Sequence, residues 1–176
     1  MRGRLANNAT RKAESMAQQS SQPVPPVGRR ALRPDTTAPD GSEIRLLIDD
    51  RHAARRASLV EVTLPAGQVS KPVYHRTVEE IWYILEGAGQ VWRCPPTSRP
   101  GSVLPVPVSP GDALTIPTGW RFQFSADARS TLRFLCYTNP PWPGPEEAQP
   151  AGAGGLGDAT VSGLEPLTHP AHRPNI

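Results

Sequence analysis

GQVSKPVYHRTVEEIWYILEG, residues 67–87, is the stretch whose reading decides the fold. It consists of two short runs rich in β-branched and aromatic side chains, closed by Gly at either end, which is the pattern of strands and not of a helix. Strand side chains alternate between faces, so Val73, His75 and Thr77 share one face, as do Glu80, Trp82 and Ile84 after the intervening turn. Each set puts a titratable group among apolar neighbours.

The same pattern extends in both directions. EIRLLID, ASLVEVTLP, GQVWRC, DALTIP, RFQFSA and TLRFLCYT are each a few residues long and bounded by Gly, Pro, Asp or Ser. Short strands at this density predict an all-β sandwich or jelly-roll barrel over residues 43–142. The piece PPTSRPGSVLPVPVSPG is too rich in proline for a central strand and is expected as a loop or edge element over one end of the barrel. Residues 1–42 hold almost no large apolar side chains, and residues 143–176 are rich in Gly, Ala and Pro. Both are expected to be disordered tails, because neither has enough apolar surface to offset its ordering entropy.

Charge and cysteine content narrow the class. The chain of 176 residues carries a formal charge of +3, but residues 1–33 alone carry +6 and the remainder −3. The basic balance therefore lies in the tail, which argues against a nucleic-acid surface on the barrel. No apolar run is long enough to span a bilayer and no secretory leader is visible, so a cytoplasmic location is expected, with no membrane partner. Cys94 and Cys136 lack metal-type spacing and read as small buried residues, unpaired in a reducing compartment. No helix-turn-helix precedes the barrel, which disfavours a one-chain transcriptional sensor.

Two motifs in order give the chain a family likeness. The segment above and GDALTIPTGWRFQF, residues 111–124, resemble the paired motifs of the cupin superfamily, G-x5-H-x-H-x3,4-E-x6-G and G-x5-P-x-G-x2-H-x3-N. Gly67, His75, Glu80, Gly87, Gly111, Pro117 and Gly119 stand at the family's spacing. RFLCYTNPPWPGPEEA also resembles the run that follows the last strands in small single-domain cupins, where Trp142 would anchor the chain against the outside of the barrel and Tyr137 would do the same. The resemblance implies a single double-stranded β-helix barrel and, as is common in the family, a homodimer. It also implies a metal held by three His and one Glu, but the first His position is Val73 and the last is Phe122. Neither side chain donates a lone pair, and two ligands seldom hold a divalent ion. No metal and no cofactor are therefore expected.

The resemblance turns the faces listed by period two into the barrel interior. The expected cavity is lined by Val73, His75, Thr77, Glu80, Trp82, Phe122 and Phe124, with Gln90 and Trp92 added if the following strand keeps register. Aromatic walls with few polar groups suit a small organic molecule. His75 and Glu80 are the candidate catalytic pair, His75 as base and Glu80 as its orienter or as the acid, by analogy with cupin epimerases, isomerases and cyclases. A non-catalytic binding cupin is the alternative reading. A metal-dependent, dioxygenase-like cupin with a reduced ligand set is a second, and it needs another His from His52, His169 or His172. A biosynthetic role fits a small cupin of this kind.

Overall fold

The computed structural model describes residues 23–161. Eleven strands form two antiparallel sheets that face each other. The first contains β1 (Thr36–Thr37), β2 (Glu43–Ile48), β3 (Ser58–Leu64), β10 (Leu132–Asn139), β5 (Glu79–Glu86) and β8 (Ala113–Ile116), in the order β1-β2-β3-β10-β5-β8. The second contains β4 (Val73–His75), β6 (Gly89–Cys94), β7 (Val106–Val108), β9 (Arg121–Ala126) and β11 (Ala148–Pro150), in the order β11-β4-β9-β6-β7. This is the expected all-β jelly roll. Among the described residues no helix is long and apolar enough to cross a membrane.

Alternation builds the core. In β5, Glu80, Trp82 and Ile84 are buried while Glu79, Ile81 and Tyr83 are exposed, and in β10 Leu132, Phe134, Cys136 and Thr138 point inward. Phe122 and Phe124 of β9 meet them from the opposite sheet, and Trp82 stacks on Phe134 at 4.2 Å between ring centroids. Gly87 closes the β5–β6 hairpin at φ 76°, where a Cβ would run into the carbonyl of Thr131. Only glycine fits there without strain. The proline-rich stretch supplies β7, an edge strand, as proline's missing N–H requires. Cys94 and Cys136 are free and buried.

The ordered body is larger than residues 43–142. Upstream, β1 pairs with β2, and the Arg30 guanidinium reaches Glu61 at 2.7 Å. Downstream, β11 pairs with β4, and residues 154–157 cover the outer face of the second sheet. There Gln123 donates to the carbonyls of Ser70 and Gly157 and accepts from Leu156 N–H. Polar side chains and backbone bonds hold these segments, so their low apolar content gave no sign that they pack. The expected disorder of residues 1–22 and 162–176 lies outside the described residues.

Glu147 is the main clamp of the downstream segment. Its carboxylate accepts from the N–H groups of Thr77 and Val78 at 2.5 and 2.8 Å and from the Thr77 hydroxyl at 2.9 Å. Burial pushes its pKa up, but these donors outweigh burial and hold it below the usual carboxylate value. Glu147→Ala is expected to cost roughly 3 kcal/mol in denaturant unfolding, since it orphans the buried N–H of Val78 as well as losing charged hydrogen bonds. A loss below about 0.5 kcal/mol, the range of an indifferent surface change, would show that the segment is not clamped there.

Candidate functional site

Between the sheets lies a cavity of about 470 Å3, within the range of small-molecule sites. Six of the residues expected to line it do so: Val73, His75, Glu80, Trp82, Phe122 and Phe124. Val73 pairs directly with Phe122 across β4 and β9, so the two positions that replace ligands of the family sit side by side next to His75.

Three expected residues are elsewhere. Thr77 is turned toward Glu147, which binds both its N–H and its hydroxyl. Gln90 is exposed, and Trp92 is buried on the outer face of its sheet, against Gly155, with its indole N–H on the carbonyl of Val103. The turn between β5 and β6 shifts parity, so Val91, opposite Phe124, is the inward residue. A one-residue change of parity sends every side chain of the strand to the other face.

The cavity also contains residues that the motifs did not indicate. Cys136 and Thr138 come from β10, Asp40 and Ser42 from the chain before β2, and Trp142 from the chain after β10. Trp142 therefore lines the cavity and does not anchor the outside. Its N–H donates to Ser58 Oγ at 3.2 Å, and its ring meets the His75 ring edge-on at 5.2 Å. Tyr137 lies on the outer face of β10, 40% exposed. His52 is engaged with Asp49 at 2.9 Å away from the cavity, and His169 and His172 lie outside the described residues.

His75 and Glu80 approach without bonding. Nδ1 of His75 is 3.7 Å from Oε1 of Glu80, and this buried nitrogen has no hydrogen-bond partner. Glu80 Oε2 instead accepts the indole N–H of Trp82 at 2.8 Å. Burial lowers the pKa of His75 to about 4, with Glu147 opposing weakly. Burial raises that of Glu80 to about 7, against the hydrogen bonds from Trp82 and Cys136 and with help from the Asp40 charge. The separation fits an ion pair, yet the histidine is neutral and the acid largely protonated below neutral pH, so we read a pair of neutral groups. In this geometry Glu80 makes no hydrogen bond to the imidazole. Asp40 is also raised by burial, although its Oδ1 accepts from Ser42 N–H and hydroxyl at 2.8 and 2.7 Å.

The donor set does not fit the family metal. Phe122 lies with its ring centroid 5.0 Å from that of His75, where a third ligand is needed. Among the described residues, no three His, Cys, Asp or Glu side chains are grouped so as to hold a metal ion.

Comparison with known proteins agrees with the fold. A family model described as Cupin domain matches residues 60–138. No curated protein sequence matches the chain. Oxalate decarboxylase from Bacillus subtilis is similar in structure, with a TM-score of 0.61 and 15% identity over 74% of this chain and 33% of that one. The chain thus spans about a third of that enzyme's length. A second structure of the Bacillus enzyme, from work on its Mn(II) centres, gives a TM-score of 0.60 at 15% identity over 74% of this chain and 34% of that one. A predicted oxalate decarboxylase from Thermotoga maritima has a TM-score of 0.53 and 20% identity over 65% of this chain and 99% of that one. With the two motifs in frame and the two-sheet barrel around them, the chain carries a cupin domain over residues 60–138, with Val73 and Phe122 at two of the four positions where the cupin motifs carry metal ligands.

Proposed function

We propose that the protein is a metal-independent cupin that acts on a small organic molecule by general acid/base chemistry, of the isomerase, epimerase or cyclase type. The observation that carries this reading is the buried, unbonded pair of His75 and Glu80 inside the cavity. A neutral imidazole with a free nitrogen is a base, and a protonated carboxyl is an acid. Their environments push the two affinities into those complementary states.

The balanced step is an enolisation. His75 takes a proton from a carbon next to a carbonyl, the C–H pair becomes the new C=C bond, and the carbonyl π pair takes a proton from Glu80. Imidazolium and carboxylate result. Returning the proton to another carbon or to the other face isomerises or epimerises the substrate, and attack of the enol on a second carbonyl closes a ring. Trp82 N–H then stabilises the carboxylate formed at Glu80.

The pH dependence has a defined sign. The base is lost below about pH 4 and the acid above about pH 7, so kcat/KM is expected to be level between these values and to fall above pH 7. Folding stability provides a readout that needs no substrate. Glu80 holds its proton until about pH 7 in the folded chain but only to 4.5 when unfolded, so stability falls as pH rises through that window, by roughly 3 kcal/mol. His75 acts in the other direction, costing stability as pH falls from 6.5 toward 4. Glu80→Gln, measured by urea unfolding, is expected to gain on the parent between pH 4.5 and pH 8. An unchanged difference across that range would refute the raised affinity of Glu80.

A further inference from the structure

Among the described residues no cation lines the cavity. Asp35, Asp40 and Glu80 line it, and no Lys or Arg does. Glu80, which keeps its proton below about pH 7, and Asp40 are 7% and 8% exposed, so neither these side chains nor water offers a buried anion a counter-charge. Such an anion would lose its hydration and find no cationic fork to replace it. His75 is 3% exposed and does not supply the missing charge, being neutral where Glu80 keeps its proton.

The rest of the wall is aromatic and aliphatic. Trp82, Phe122, Phe124 and Phe134 meet one another edge-on or stacked, and Trp142 closes over His75. One polar spot is left unfilled. Nδ1 of His75 lacks a partner, and Oε1 of Glu80 is 3.7 Å from it, so these two groups are the unpaired polar spot of the wall.

We propose that the cavity takes an uncharged, largely apolar ligand, aromatic or conjugated, whose single hydroxyl or carbonyl oxygen sits between His75 and Glu80, and that it rejects carboxylates and phosphates. The proposal rests on reading this cavity as the site of action. It separates the chain from the oxalate decarboxylases that share its fold, whose named substrate is a dicarboxylate. Specificity here comes from the absence of a cation in the wall as much as from the apolar side chains.

A matched pair of probes tests it. N-phenyl-1-naphthylamine is uncharged, and 1-anilinonaphthalene-8-sulfonate is the same skeleton with a sulfonate. Fluorescence titration of the full chain at pH 6.5 is expected to show one site for the uncharged probe and binding of the sulfonate at least about tenfold weaker. Val62→Phe, which narrows the cavity, is expected to weaken the uncharged probe. If that variant does not fold, competition by 1-naphthol, uncharged with a single hydroxyl, locates the site instead. Asp40→Asn keeps the shape and removes an acid from the wall, and is expected to raise sulfonate affinity.

Equal or tighter sulfonate binding by the parent, lost in Val62→Phe or competed by 1-naphthol, overturns the proposal. So does failure of the uncharged probe to bind below about 100 μM, or thermal stabilisation of the parent by millimolar oxalate. These outcomes are separate from the acid/base reading. Turnover of an uncharged substrate that survives loss of His75 sinks that reading and leaves the charge selectivity intact.

Discussion

His75→Ala is expected to lower turnover by about 100- to 10,000-fold while changing ligand affinity by less than about tenfold. The split follows from where the imidazole acts. In the ground state the imidazole offers one hydrogen bond, while Trp82, Phe122, Phe124 and Trp142 line the rest of the cavity beside it. In the transition state it takes on a proton, so its removal costs mainly in rate. A purely binding cupin behaves differently: the same change then weakens affinity only by the ~0.5 to 1.5 kcal/mol of a neutral hydrogen bond, and no rate exists to be lost. His75→Gln keeps a hydrogen-bonding group but no base near neutral pH, and is expected to restore affinity without turnover. If His75→Ala leaves the rate intact, the acid/base assignment is wrong.

Much of this site was legible because two motifs fix register. Once Gly67, Gly87, Gly111 and Gly119 are in frame, period two assigns Val73, His75, Glu80, Trp82, Phe122 and Phe124 to the interior, and the structure has all six there. Extrapolating the same rule across the β5–β6 turn failed at Gln90 and Trp92, since a hairpin resets parity and the sequence does not state its length. Cys136 and Thr138 were within reach: in TLRFLCYT they share the parity of Leu132 and Phe134, which face the core. Asp40, Trp142 and Glu147 were not. They come from segments whose contacts are backbone pairings and single carboxylates, and composition does not register a clamp built from one side chain and two N–H groups.

The structural loss of the metal site also defines its repair. Val73 and Phe122 are cross-strand partners next to His75, with Glu80 3.7 Å from the imidazole, so Val73→His with Phe122→His brings four donors to one point. The doubly substituted protein is expected to bind about one divalent transition metal per chain, where the parent binds none stoichiometrically. Replacing Phe122 opens the space that its ring fills beside His75, and a chelated ion then offsets the burial of the new polar atoms. Glu80 gives a second readout, since a bound cation inverts the local balance and holds the carboxyl ionised at pH values where the parent keeps it protonated. Metal analysis after gel filtration, with thermal unfolding in the presence and absence of chelator, measures both affinity and linkage. A folded double variant that binds zinc or manganese no better than the parent would show that positions 73 and 122 are not the ligand positions of the family. Metal bound by the parent and released by His75→Ala would refute metal independence directly.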